Sequence, residues 1–111
     1  MDTNRFNQIL VVDSIPTGEY NTAKRLFGDL QTYVVAYSPS PAVHYVRVET
    51  ADEFIQRVLK CRKEAEEQDI VPMLHIECHG DEDGFQFADG SLADWDKLKL
   101  PITELNIATG L

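Results

Sequence analysis

The sequence predicts an α/β fold: a three-layer, mostly parallel sheet with helices on both faces, plus a small β-hairpin after the third main strand. Three observations predict it. Short apolar, β-prone blocks at residues 9–12, 43–48 and 70–78 alternate with two segments of helical period. Such alternation implies parallel strands joined by right-handed crossovers. Two crossovers from one starting strand put that strand in the middle, with the other two as its parallel neighbours.

Taken in order, Ile9-Leu10-Val11-Val12 reads as a strand buried on both faces. Asp13-Ser14-Ile15-Pro16-Thr17-Gly18 ends it with turn chemistry. Tyr20, Ala23, Leu26, Phe27 and Leu30 then recur on one helical face. Tyr33-Val34-Val35-Ala36-Tyr37 is β-prone but short, a minor strand or the approach to the Ser38-Pro39-Ser40-Pro41 loop. Residues 43–48 form the second main strand, with Val43, Tyr45 and either Val46 or Val48 inward. Thr50 and Glu53 have the spacing of a capping box. The helix they start buries Phe54, Val58, Leu59, Cys61 and Ala65 and ends in a charged tail. Residues 70–78 are the third strand. A hairpin over residues 83–93 turns at Asp89-Gly90, a two-residue hairpin signal. Asp94 caps a short helix through Trp95 and Leu98, Pro101 restarts a helical segment, and Gly110 sits where a C′ glycine belongs.

The 111 residues read as one domain, with ~65% of the unfolded surface buried on folding. Its 19 acids against 10 bases give a formal charge of −9, which argues against sequence-independent binding to nucleic acid or anionic membrane. No apolar run approaches the ~20 residues of a membrane span. The N-terminus, Met1-Asp2-Thr3-Asn4-Arg5-Phe6, lacks the basic and apolar regions of a signal peptide. Two cysteines in no framework pattern make a cytoplasmic chain with free thiols the default expectation.

The residues that can carry chemistry gather at the third strand. Met73, His75, Glu77 and His79 share one face of this strand, and Leu74, Ile76 and Cys78 share the other. Sites in parallel sheets collect at the carboxyl ends of strands, which favours His79 over the deeper His75. Cys78 neighbours His79 in sequence but points to the opposite face, so the pair is not a dyad. Cys78 and Cys61 read as small core residues. A metal site from His75, Glu77 and His79 is a weaker alternative, because one strand seldom supplies three ligands to one ion. Asp81, Glu82 and Asp83 fail the spacing of a calcium loop, and no phosphate-binding loop is present. Asp13 stands alone, without the acidic pair of a response-regulator receiver.

The stretch His79-Gly80-Asp81-Glu82-Asp83-Gly84-Phe85-Gln86-Phe87, followed by Asp89-Gly90-Ser91 and Trp95, resembles the histidine strand of the caspase-like cysteine peptidases, the group that includes CHAT domains. The resemblance implies a partial caspase-like fold and cysteine endopeptidase chemistry. It makes His79 the acid–base residue and Gly80 an oxyanion donor. Apart from the resemblance, Asp81, Glu82 and Asp83 read first as a solvated turn, and secondarily Asp81 and Asp83 read as acids that favour a basic residue in the substrate. The resemblance implies no cofactor. The partners expected are a peptide or protein substrate, and either the rest of a parent polypeptide or a second copy along the sheet edge. In that family the next core strand carries the nucleophilic cysteine, and no cysteine follows His79 here. The expectation is therefore an incomplete domain, residues 1–111, inactive alone. The alternative is a non-catalytic α/β interaction domain.

Overall fold

β1 (Gln8–Asp13) forms the middle of a three-stranded parallel sheet, between β2 (Ala42–Arg47) and β3 (Pro72–Glu77). The computed structural model describes residues 6–110. Helix α1 (Thr22–Tyr33) connects β1 to β2, and α2 (Ala51–Gln68) connects β2 to β3. The chain then builds a separate antiparallel sheet, β4 (His79–Asp81), β5 (Gly84–Gln86) and β6 (Leu92–Asp94), and closes with α3 (Trp95–Thr109). The three main strands are thus parallel in the order expected.

Local chemistry sets the helix starts. Asn21 caps α1 by accepting from Lys24 N at 3.0 Å. Thr50 caps α2 by accepting from Glu53 N at 3.1 Å, and Asp94 caps α3 by accepting from Lys97 N at 2.9 Å. The capping box is incomplete: the Glu53 carboxylate accepts from Glu49 N rather than from the cap residue. The α3 helix ends at Gly110 in the left-handed region, at φ 74°.

Two sequence readings need correction, and one left open between two alternatives is settled. Tyr20 precedes α1 and is 71% exposed, because the Asn21 cap starts the helix after it. Of the two readings of residues 33–37, the approach to the loop holds: residues 34–36 form a 3-10 turn that continues α1, with Tyr33 and Tyr37 outside against each other. Pro101 lies within one continuous helix and does not restart a second. The hairpin is likewise larger than expected. It is the second half of a meander whose first strand begins at His79, and its tip is a three-residue loop. Phe87 N donates to Ser91 O, Gly90 N donates to Phe87 O, and Gly90 takes φ 89°.

The two faces of β1 separate the core. Leu10 and Val12 pack with Val48, Phe54, Val58, Phe87, Leu98 and Leu105, which places α2, α3 and the small sheet on that side. Ile9 and Val11 pack with Ala23, Leu26, Phe27 and Leu30, which places α1 on the other. No helix among the described residues is long and apolar enough to cross a membrane.

Candidate functional site

The site is built where three chain segments meet beyond the carboxyl end of β1. Ser14 ties them together. Its N–H donates to Glu77 O at the end of β3, and its hydroxyl donates to Val48 O at 2.7 Å. The same hydroxyl accepts from Ala88 N at 2.8 Å. A buried serine therefore fastens the β5–β6 turn over the end of the parallel sheet. The 16–19 turn stands opposite: Glu19 N donates to Pro16 O, and Gly18 supplies the positive φ of 95° that a type II turn needs at that position.

Between the two turns lies an open groove of about 670 Å³, lined by Pro16, Glu19, His79, Gly80, Gln86 and residues 87–90. Both resemblance-derived catalytic residues are at this groove. The His79 side chain is 55% exposed, and its Nε2 lies 2.9 Å from Glu19 Oε1. Asp81 and Gly84 flank the two-residue β4–β5 turn. Phe87 N donates to Ser91 O and Trp95 N donates to Asp83 O, so residues 83, 85 and 87 turn their backbone groups to β6, and Gly84 and Gln86 turn theirs to Asp81 and His79. Gly80 and Phe85 are then the non-exchanging pair, and the Gly80 N–H points away from β5, along the free edge of β4. Gly80 also has a structural reason to be glycine, since a Cβ there would sit 3.2 Å from Gly84 O.

The proposed substrate acids are elsewhere. Asp81 and Asp83 do not line the groove. Asp81 Oδ1 accepts from Asp83 N at 2.7 Å, and Asp83 O accepts from Trp95 N. Together with the Trp95 indole N–H donating to Glu82 O, these bonds fix the β4–β5 turn against the start of α3. The acids at the groove are Glu19 and Asp89. Hydrogen bonds from Ser91 hold the Asp89 carboxyl below its usual value.

The strand-face reading of the histidines also changes. The β3 strand ends at Glu77, Cys78 turns the chain, and His79 opens a different sheet. His75 Nε2 is 2.8 Å from Glu77 Oε1, while Glu77 Oε2 accepts from Thr22 Oγ1. His79 pairs with Glu19 instead. The three candidate metal ligands are therefore divided, and no group of three potential ligands is assembled among the described residues. Burial pushes the Cys61 thiol up, and burial with the Glu77 charge does the same for Cys78. Neither thiol has the environment of an activated thiolate.

A second polar cluster lies beside the groove, around Asp13 at the end of β1. Its Oδ1 accepts from Ile15 N and from Arg47 Nη1, each at 2.9 Å. Its Oδ2 accepts from Asn21 Nδ2 at 2.7 Å and from the Tyr45 hydroxyl. Burial pushes this carboxyl upward, but the bonds from Tyr45, Asn21 and Ile15 and the Arg47 charge outweigh it, and the net shift is down. Burial and the Asp13 carboxylate push the Tyr45 phenol up to about 12.

Sequence reasoning missed Ser14, Glu19 and this cluster as units. The Pro16-Thr17-Gly18-Glu19 turn signature was readable, but Glu19 meets His79 across 60 residues, a separation no local pattern encodes. Comparison with family models, curated proteins and solved structures finds no match to this chain.

Proposed function

We propose that this chain is the histidine-bearing portion of a caspase-like cysteine endopeptidase, with a partial caspase-like fold, whose nucleophilic thiol comes from polypeptide outside residues 1–111. One observation carries the reading: an accessible imidazole and an outward Gly80 N–H share an open groove at the carboxyl end of a parallel sheet. A thiol entering there passes its proton to His79 as the sulfur bonds to the substrate's carbonyl carbon. The Gly80 N–H donates to the oxygen that gains charge. The imidazolium then protonates the leaving amine as the C–N bond breaks, and water releases the acid from the thioester.

Among the described residues β3 ends the parallel sheet, and this edge supports the same reading, because a further strand can pair there and bring its carboxyl end to the groove. The test is hydrolysis of a peptide library under reducing conditions, by the 111-residue chain and by a polypeptide extended along the reading frame. Thiol-dependent hydrolysis confined to the longer form, and reduced at least about 100-fold by His79→Ala, is the expected result. Such hydrolysis by the 111 residues alone would overturn the reading.

A second reading, a non-catalytic α/β interaction domain, is favoured by the state of the two thiols: Cys61 is buried, and Cys78 is half-buried and does not line the groove. An extended polypeptide that stays inert toward peptides and iodoacetamide-reactive only at unselective rates would favour it.

A further inference from the structure

We infer that Glu19 is a positioning residue for His79: its carboxylate holds the proton on Nε2 and leaves the Nδ1 lone pair as the working base. What Nδ1 then acts on rests on the peptidase reading above; the positioning does not. A carboxylate accepts hydrogen bonds and cannot donate them, so the ring nitrogen facing it carries the proton. Glu19 Oε1 lies 2.9 Å from Nε2. In a neutral imidazole the other nitrogen, Nδ1, is then the acceptor.

The backbone beneath each partner is fixed, so the two side chains start from set positions on facing segments. The type II turn with Gly18 at φ 95° fixes Glu19. The β4–β5 pairing fixes the backbone of His79, with Gln86 opposite. The two residues sit on the same groove, so the nitrogen left free belongs to a ring already oriented there. A base held by a third group is the general arrangement by which an imidazole keeps one tautomer through proton transfer. Both side chains are about half exposed, at 55% and 50%, so the pair adds little to folding stability. Its effect falls on which nitrogen works.

Long-range proton–nitrogen NMR of the 111-residue chain tests this directly, above the imidazole titration range, at about pH 8.5. The separation between the Nδ1 and Nε2 nitrogen shifts of His79 reads the tautomer. His75, whose Nε2 faces Glu77, is the internal control. The expected result is a wide separation in the wild type with the proton on Nε2. Glu19→Ala narrows it to the value of an unstructured histidine peptide, while His75 and the backbone amides stay unchanged. Glu19→Gln keeps the side-chain length but donates as well as accepts, and falls between the two. A His79 proton on Nδ1 in the wild type, or a separation unchanged in Glu19→Ala, overturns the inference. The measurement needs no thiol, so its failure is separate from a failure of the peptide-hydrolysis test.

Discussion

Asp13 has no solvent exposure, yet it keeps its charge by accepting from four donors drawn from three different stretches of chain. Its carboxyl is depressed in the folded protein, so the stability it contributes is present above the unfolded value of ~3.9 and is lost as pH falls below it. Asp13→Asn is expected to cost on the order of 3 kcal/mol near neutrality. It also flattens the acid limb of the urea-midpoint profile; an unchanged limb would mean that other carboxyls dominate acid unfolding. Tyr45 works in the opposite sense. With a phenol raised to about 12, its contribution is present below the ordinary value and lost as pH climbs through the raised one. Tyr45→Phe should remove that alkaline limb and cost ~1 kcal/mol at neutrality. None of this was legible in the sequence, where Asp13 reads as the start of a turn and as an acid without the partner a receiver site needs. Its side-chain partners lie between 8 and 34 residues away, and the turn signal concerns its immediate neighbours.

The same contrast holds for elements. The helix starts were legible because a cap is a local event: Thr50 and Asp94 each meet an N–H three residues on. The order of β1, β2 and β3 was legible because crossover handedness is a general rule. The extent of the small sheet was not. His79 continues the alternation of β3 on paper, and only the bend at Cys78 transfers it to β4. That sheet is held by two dense points, and each yields a prediction. A Cβ on Gly84 would lie 2.2 Å from Ala93 O, at a φ of 151°. Gly84→Ala should therefore destabilise by ~3 kcal/mol, read from denaturant midpoints, and should loosen β5 against β6 first. Ser14→Ala leaves Val48 O and Ala88 N without their partner. The expected cost is ~2 kcal/mol, with faster amide exchange at Ala88 and little change in α1. A Ser14→Ala protein with wild-type exchange at Ala88 would show that the β5–β6 turn is held from within the small sheet.

At the scale of the whole molecule the informative feature is the open flank of β3. Helix α1 lies over β1 and β2, with Phe27 against Tyr45 at 5.6 Å, and Met73 on the same face of β3 remains 45% exposed. The hydrogen-bond pattern identifies which backbone groups this flank presents. Asn7 N donates to Val71 O and Ser14 N donates to Glu77 O, at the two ends of the β1–β3 pairing. Both groups of one strand residue point the same way, and successive residues alternate. Val71, Met73, His75 and Glu77 therefore face β1. Leu74 and Ile76 direct N–H and C=O outward, together with the carbonyl of Pro72. Unpaired edge groups beside exposed apolar surface favour addition of a strand. Amide exchange should alternate along β3, with Met73 and His75 protected and Leu74 and Ile76 open in dilute protein. Any strand that docks on this flank closes the second pair without altering the first. Rising protein concentration is expected to do so through self-association, and Met73→Lys to oppose it. Equal protection at all four amides in monomeric protein would mean that the flank is already covered, and would remove the β3 edge as the route by which a thiol-bearing strand reaches His79.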